Sequence, residues 1–225
     1  MRSIVLRRLL ALLLLLPATG CVTTAPLQTP EVLDPGQVTT YVGFTTPRRI
    51  VVNSPSGPTE YNPPVGSGLT GGVQFGVFPR TSLGVDLNPV AGYGLHAKVH
   101  VLSLNVGGHE VWVTGIGGSG WGAYTESGLW GGVDVEHRSR ARHAGVLVGT
   151  DQFYVGGQWF DLRYEYDRED RSAIDVRQSG PRLTLGAAGH FQRQGAARAV
   201  VEVHTYFLPD PLPVFSAGLQ FKLFE

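Results

Sequence analysis

The sequence predicts an all-β fold, an antiparallel up-and-down transmembrane β-barrel of about ten strands, with eight strands as the alternative. Short segments alternate between apolar and polar residues along most of the chain, and this period of two is typical of β-strands. Glycine is abundant, with 31 residues, whereas lysine occurs only at Lys98 and Lys222. The chain also ends on such an alternating segment, Ser216–Glu225, as expected of a strand that closes a sheet.

The first 20 residues have the organisation of an export signal. Three arginines, Arg2, Arg7 and Arg8, precede an apolar run over 9–16, and small residues follow at 18–20. The apolar run is shorter than the roughly 20 residues of a membrane-spanning helix, which favours a cleaved signal. Removing residues 1–20 from the chain of 225 leaves 205, enough for one domain. The remaining 15 basic and 18 acidic residues do not indicate a nucleic-acid binder.

Cys21 follows the export signal directly and is the only cysteine in the sequence. The stretch Ala18-Thr19-Gly20-Cys21 resembles the lipobox of bacterial lipoproteins, with Ala18 where that family most often has Leu. The resemblance implies cleavage before Cys21 and a covalent N-acyl diacylglycerol on that residue, with no other cofactor. Val22 in place of Asp favours sorting to the outer membrane. An ordinary export signal with an unrelated cysteine is the alternative, and a disulfide is excluded because Cys21 has no partner.

Residues 22–36 are rich in Thr and Pro and show no periodicity. This composition predicts a linker between the lipid and the folded domain. The predicted organisation is therefore a signal peptide over 1–20, a lipidated N-terminus and linker over 21–36, and a barrel over 37–225.

Eleven alternating segments follow, separated by Gly, Pro, Asn or clusters of charge. They cover residues 38–44, 71–78, 82–87, 93–104, 110–117, 128–136, 144–148, 153–166, 182–191, 199–207 and 214–224. A barrel with both chain ends on one side of the membrane needs an even number of strands, so one assignment must be in error. We expect the error at 144–148, which would join its neighbour, or at 38–44. Loops are expected over 47–68 and 117–127.

The two faces of these segments differ, although alternation alone does not decide which face is inside. A soluble barrel would enclose its apolar face, whereas a membrane barrel turns that face toward lipid. The polar face is rich in Gly, Ser and His, which favours a lumen. Aromatic residues near segment ends, such as Trp121 and Trp159, are typical of interfacial girdles. The predicted lumen network, whose paired charges would block a pore, comprises Asp86, His96, Lys98, His100, Asp134, Glu136, Arg163, Arg182, Glu202 and His204.

Residues 216–223 resemble the C-terminal assembly signal of outer-membrane barrels: Ser216 is the polar residue, Gly218 the glycine, and Phe221 and Leu223 the hydrophobic positions. In that class the barrel assembly machinery binds the last strand during biogenesis. Lipobox, linker and terminal signal together resemble the outer-membrane β-barrel lipoproteins of Gram-negative bacteria. The resemblance implies outer-membrane lipid as a partner and no nucleic acid, and it leaves the oligomeric state open.

Three functions remain open. The first is a non-enzymatic outer-membrane barrel lipoprotein with a structural or surface-interaction role. The second is an outer-membrane lipid-modifying hydrolase, similar to lipid A deacylases, with His190 or His204 as the candidate base. The third is a lipid-anchored soluble barrel of the lipocalin type that binds a small apolar ligand. The sequence assigns no catalytic residue and no metal site, because its Ser, His and Asp residues are scattered and no nucleophile elbow is present.

Overall fold

The computed structural model describes residues 27–46, 50–54, 57–61, 68–88, 92–126, 135–168, 171–191, 197–207 and 212–224. Within these ranges no helix is long and apolar enough to cross a membrane. Ten strands close one antiparallel barrel: β1 (Val38–Thr45), β4 (Gly68–Phe78), β5 (Thr81–Asn88), β6 (Gly92–Val106), β7 (His109–Glu126), β8 (Val135–Gly149), β9 (Phe153–Arg168), β10 (Arg171–His190), β11 (Ala197–Tyr206) and β12 (Leu212–Phe224). The strands β2 (Ile50–Ser54) and β3 (Gly57–Tyr61) form a separate hairpin between β1 and β4.

The barrel closes where its first strand meets its last. β1 pairs with β4 on one side and with β12 on the other, and Gly43 lies opposite Gly218 in the closing ladder. Every barrel strand therefore has two neighbours, which satisfies the backbone N–H and C=O groups that hydrocarbon could not hydrogen-bond. The predicted ten-stranded antiparallel barrel is confirmed, and the alternative of eight strands is wrong.

One strand, β8, accounts for two of the eleven predicted segments. Residues 144–148 form the second part of β8, as expected, and 38–44 belongs to the regular strand β1. The charged run 136–143 separates two segments in the sequence analysis, yet it is continuous strand because its charged residues alternate with small or polar ones. Residues 128–134 lie outside the described ranges. The predicted loop over 117–127 was wrong, since β7 extends to Glu126.

The barrel has a polar inside and an apolar outside. Large apolar side chains such as Phe153 (68% exposed) and Leu185 (54% exposed) point outward. Charged side chains point inward, and Asp86, Lys98 and Glu202 are each only 1% exposed. An apolar exterior on a closed barrel is the arrangement that lipid requires. A soluble barrel with an apolar interior is excluded by this orientation.

The two ends of the barrel differ in their connections. At the end where β1 begins and β12 ends, here called the lower end, the turns Pro79–Arg80 and Gly107–Gly108 have two residues each. Gly107 and Gly108 have φ values of 61° and 84°, as a type I′ hairpin turn requires. The opposite, upper end carries the connection over 46–67 with its β2–β3 hairpin. Short turns at one end and longer loops at the other are typical of outer-membrane barrels.

Candidate functional site: the plugged lumen

The described part of the predicted linker lies inside the barrel. Residues 27–37, here called the plug, run from the middle of the lumen to the lower end, where the chain turns back into β1. Leu27 and Thr29 are 0% and 2% exposed. At the lower rim the N–H of Gly36 donates to the carbonyl of Gly76, and the N–H of Gly76 donates to the carbonyl of Gln37, both at 3.0 Å. The plug is thus hydrogen-bonded to the barrel wall where it leaves the lumen.

Leu27 at the inner end of the plug sits on two glycines. Gly43 of β1 and Gly218 of β12 face each other across the closing ladder, and a Cβ atom on either one would overlap Cδ1 of Leu27. Leu27 packs with Tyr41, Tyr154 and other buried residues of the lumen. Gly218 belongs to the predicted assembly signal, so the same glycine that the signal contains also makes room for the plug.

Glu202 on β11 holds the inner end of the plug. Its carboxylate accepts hydrogen bonds from the backbone N–H groups of Leu27 and Gln28, the latter at 2.9 Å. The Tyr154 hydroxyl donates to the same carboxylate at 2.6 Å, and Nε2 of His204 lies 3.2 Å from it. Charge-assisted hydrogen bonds of this kind are about twice as strong as neutral ones. Glu202 therefore fixes the backbone of the plug rather than one of its side chains.

Lys98 on β6 and Thr114 on β7 bind the middle of the plug. The Lys98 ammonium donates to the carbonyls of Thr29 and Glu31 at 2.9 and 2.7 Å. The Thr114 hydroxyl donates to the carbonyl of Pro30 at 2.6 Å. Pro30 itself has no N–H, so its carbonyl is its only backbone group that needs a partner in the lumen.

Glu31 of the plug forms ion pairs with two strands. Its carboxylate lies 2.7 Å from Nη1 of Arg198 on β11 and 3.1 Å from Nζ of Lys222 on β12. Burial alone would raise the pKa of Glu31, but the positive charges of Arg198 and Lys222 outweigh it and hold the pKa below its ordinary value of 4.5. The carboxylate is therefore ionised at neutral pH.

Gln220 on β12 is another wall residue that binds the plug. Its side-chain N–H donates to the Leu27 carbonyl at 2.6 Å, and its side-chain oxygen accepts from Nε of Arg198 at 2.7 Å. Arg198 also donates to the Thr29 hydroxyl at 2.9 Å. The guanidinium thus joins the wall and the plug in one hydrogen-bonded network.

Two further networks fill the lumen beside the plug. Nδ1 of His96 lies 2.9 Å from the Asp86 carboxylate, which also accepts from the Tyr41 hydroxyl. Arg182 donates to the side-chain oxygen of Gln158, and its guanidinium lies 5.7 Å from the centre of the Tyr206 ring. Hydrogen bonds to buried charged groups offset part of the cost of removing those groups from water.

The predicted lumen residues fall into three groups. The structure brings together inside the barrel Asp86, His96, Lys98, Arg182, Glu202 and His204. His100 lies beside a register shift in β6, and its Nε2 contacts the Ser103 hydroxyl at 3.1 Å in an exposed position rather than in the lumen. Asp134 and the side chain of Glu136 are outside the described part of the chain.

Arg163 does not lie in the lumen, and its prediction was wrong. Phe160, Leu162 and Tyr164 occupy the inward positions of β9, so Asp161, Arg163 and Glu165 point outward. Alternation gives the two faces of β9 correctly, but here the polar residues form the outer face and the large apolar ones the inner face. The outward residues of this part of β9 are polar because it lies above the apolar belt, the zone of exposed apolar side chains that includes Phe153, Val155 and Trp159 lower on the same strand.

The wall residues that bind the plug were not all predicted from the sequence. Arg198 shares its strand face with Glu202 and His204, so alternation along β11 contained the signal for its inward position. Glu31 has only Asp34 as a charged neighbour within residues 22–36. Acidic residues in a segment that contains no Lys, Arg or His were the available sign that this segment folds against a basic surface.

Thr184, His204 and Glu202 form a hydroxyl–imidazole–carboxylate chain. The Thr184 hydroxyl lies 3.0 Å from Nδ1 of His204, whose Nε2 lies 3.2 Å from Glu202. Nucleophilic catalysis uses this order of groups, but Thr184 is 1% exposed and the Glu202 carboxylate is bound to the plug. The other histidine considered for hydrolysis, His190, lies 3.8 Å from Asp151 near the lower end. No group of residues suited to a metal ion occurs in the described ranges.

Fold and lumen together define a transmembrane β-barrel whose interior is filled by its own N-terminal segment. No family model matches the chain, and no curated protein matches it. Among solved structures it is similar to Ail, the attachment invasion locus protein of Yersinia pestis, in complex with the heparin analogue sucrose octasulfate, and to a second structure of Ail. Each alignment has 11% identity and covers 84% of this chain and 99% of Ail, with TM-scores of 0.41 and 0.37.

Proposed function

We propose that this chain is a non-enzymatic outer-membrane β-barrel lipoprotein of a Gram-negative bacterium, with a structural or surface-interaction role and a sealed lumen. The observation that carries the proposal is the plug. Its carbonyls, N–H groups and Glu31 carboxylate bind Lys98, Glu202 and Arg198 of the wall. A segment held at so many points along the lumen blocks passage through the barrel.

The apolar exterior supports the outer membrane as the location, since closed barrels with a lipid-facing outer surface are characteristic of that membrane. The resemblance of residues 18–21 to a lipobox and of residues 216–223 to an assembly signal agrees with this location. Covalent lipid on Cys21 and recognition of β12 by the assembly machinery are parts of the same proposal. The upper end, with its longer connections, then faces the cell exterior.

The absence of transport follows from size as well as from the plug. Barrels of 16–18 strands leave an aqueous channel, whereas much smaller ones fill their interior with side chains. Ten strands plus an internal segment leave the upper loops and the outer wall as the surfaces available to partners. The hydrolase alternative has less support, because the hydroxyl–imidazole–carboxylate chain is enclosed and its carboxylate holds the plug.

Cysteine accessibility tests the plug directly. Thr29→Cys, in the lumen, should resist a small water-soluble maleimide in intact outer membranes, because Thr29 is 2% exposed. Asp34→Cys, in the same segment but exposed at the lower rim, is the matched control and should react once reagent reaches the periplasmic side. Cys21 is the only native cysteine, and its lipidation removes the background thiol. Equal reaction at both positions would mean that the segment is a free linker, against the proposal.

Planar bilayer recordings test the sealed lumen in a second way. The purified full-length protein should show no stable porin-like conductance. Steady large single-channel steps from the unmodified protein would contradict the proposal and indicate a transport role.

A further inference from the structure

A row of arginines crosses the outer wall near the upper end of β8, β9 and β10. Arg140 lies opposite Arg163, and Arg163 lies opposite Arg177. Their outward direction is clear from β8, where the alternate residues Ser139, Ala141 and His143 are buried inside. Adjacent strands are about 4.8 Å apart, so the three Cα atoms span about 10 Å. Like charges directly opposite each other destabilise a sheet, so the row does not serve the stability of the barrel.

The same row continues into an aromatic pair. Trp121 of β7 lies opposite Arg140, and Tyr93 of β6 lies opposite Trp121, with the two ring centres 5.7 Å apart. Tyr and Trp at the edge of an apolar belt are typical of the membrane interface. The arginine row therefore borders the level at which lipid headgroups begin.

The apolar belt starts four residues below the arginine row along each strand, after one further polar row. Two residues further down each strand, Arg142 lies opposite Asp161, and the next outward row is Ala144, Trp159 and Pro181. Below it lie Val146 and Leu183, which are exposed on the outer wall. Side chains on the outer wall at the top of the lipid-facing belt contact lipid headgroups. Solutes above the barrel opening do not reach this position.

Two adjoining grooves lie between these side chains. One, of about 400 Å³, has Tyr93, Trp121, Arg138, Arg140, Arg163 and Glu165 in its lining. The other, of about 180 Å³, is lined by Arg140, Arg142, Asp161, Arg163 and Arg177. Arg140 and Arg163 line both grooves and so form the wall between them.

Arginine is the most frequent charged residue among the described residues that line the two grooves. Five arginines and two carboxylates are among them. Arg177 binds Asp161 through two N–H groups at 3.0 and 3.4 Å, and Arg163 lies 3.1 Å from Glu165. These carboxylates orient two of the guanidinium groups. Planar guanidinium groups match the oxygens of phosphate in a two-pronged geometry.

We propose that this surface binds the phosphorylated headgroup of an outer-leaflet glycolipid of the lipid A class. The arginines bind phosphate, and Tyr93 and Trp121 contact the sugar or the start of an acyl chain beside them. The proposal rests on the outer-membrane location proposed above. It does not depend on the plug. Maleimide protection of Thr29→Cys tests the proposed function and lipid A binding tests this surface, so either experiment can fail without the other.

Native mass spectrometry of the full-length protein in detergent, titrated with bisphosphorylated lipid A, tests the site. Arg140→Gln removes one of the two side chains shared by both grooves and should weaken binding about tenfold, as expected for one lost charge-assisted contact. Arg80→Gln, an exposed position in the lower turn, is the matched control with the same loss of charge and should bind as the unmodified protein does. Dephosphorylated lipid A should bind much less than the phosphorylated form.

Four results would overturn the proposal. Unchanged affinity in Arg140→Gln, or equal affinity for dephosphorylated lipid A, would show that the arginines do not recognise lipid phosphate. Binding of inorganic phosphate alone with the same dependence on Arg140 would reduce the surface to a simple anion site. Binding of a sulfated polysaccharide in preference to lipid A would assign the surface to a soluble glycan instead.

Discussion

The Glu31 carboxylate lies 2.7 Å from Nη1 of Arg198, which connects the segment before the first strand to β11 near the closing seam. Arg198 in turn binds Gln220 of β12 at 2.7 Å, and β12 is the strand that pairs with β1. The plug and the closure of the barrel are therefore linked by one guanidinium group. Changes to the plug should affect the assembled barrel, and changes to the seam should affect the plug.

Glu31→Gln should loosen the plug and lower the stability of the barrel. The substitution keeps the size of the side chain but leaves Arg198 without its partner charge, which should cost about 1–3 kcal/mol for this largely buried pair. The urea midpoint of the refolded protein should fall, and Thr29→Cys should react faster with maleimide in the Glu31→Gln background. Glu110→Gln, an exposed change of the same chemistry on β7, should leave both measurements unchanged. If the two variants did not differ in these measurements, Glu31 would not contribute to the stability of the barrel.

Acidification should release the plug through the same residue. The pKa of Glu31 is held below its ordinary value of 4.5, so the folded state binds fewer protons than the unfolded state near that pH. Its contribution to stability is present above pH 4.5 and is lost as the pH falls toward the lowered pKa. Maleimide labelling of Thr29→Cys, taken as a ratio to that of the exposed control Asp34→Cys at the same pH, should increase over this range. The ratio removes the general loss of reactive thiolate at low pH. In Glu31→Gln this part of the pH dependence should disappear; an identical profile in the two proteins would assign it to other groups.

Leu219→Arg should impair assembly by placing a charge on the lipid face in the middle of β12. Leu219 is 39% exposed on the outer wall, and an arginine at the midplane of a barrel costs about 2–4 kcal/mol. The folded, heat-modifiable form on unboiled gels should decrease. Ser179→Arg, outward on β10 but above the apolar belt, is the control and should have little effect. If both variants assembled equally well, the apolar belt would not mark the membrane.

Cys21→Ala should abolish palmitate labelling and leave an uncleaved or misprocessed precursor. No other cysteine is available to carry the lipid, so residual labelling has no alternative site. Thr23→Ala, two residues later, is the control for an unrelated change near the cleavage site. Labelling and processing that persist in Cys21→Ala would refute the lipobox interpretation.

Much of the barrel could be predicted because its information is local. Alternation within one strand separates outward residues such as Leu185 from inward ones such as Thr184, and it needs no knowledge of neighbouring strands. The strand count of ten followed from the eleven alternating segments and the even number that two chain ends on one side of the membrane demand. The same reasoning failed for Arg163, because polarity alone does not show how high a residue lies relative to the membrane.

The surface row of arginines could not be predicted from any one segment. Arg140, Arg163 and Arg177 come from three strands, and only the register of β8, β9 and β10 brings them to one level. A shift of one residue in the pairing of either strand would turn its arginine from the outer face of the barrel to the lumen face. Charge clusters of this kind exist only once the pairing is known.

The sequence by itself determined the fold class, the apolar and polar faces of most strands and the candidate lipid site at Cys21, because periodicity and short motifs are properties of contiguous residues. Only the tertiary structure decided that residues 27–37 lie in the lumen. The plug has no periodicity, and its partners Lys98, Arg198 and Glu202 lie far along the chain. Its position depends on buried backbone groups that need hydrogen-bond partners, and those partners become available only when the barrel has closed around the segment.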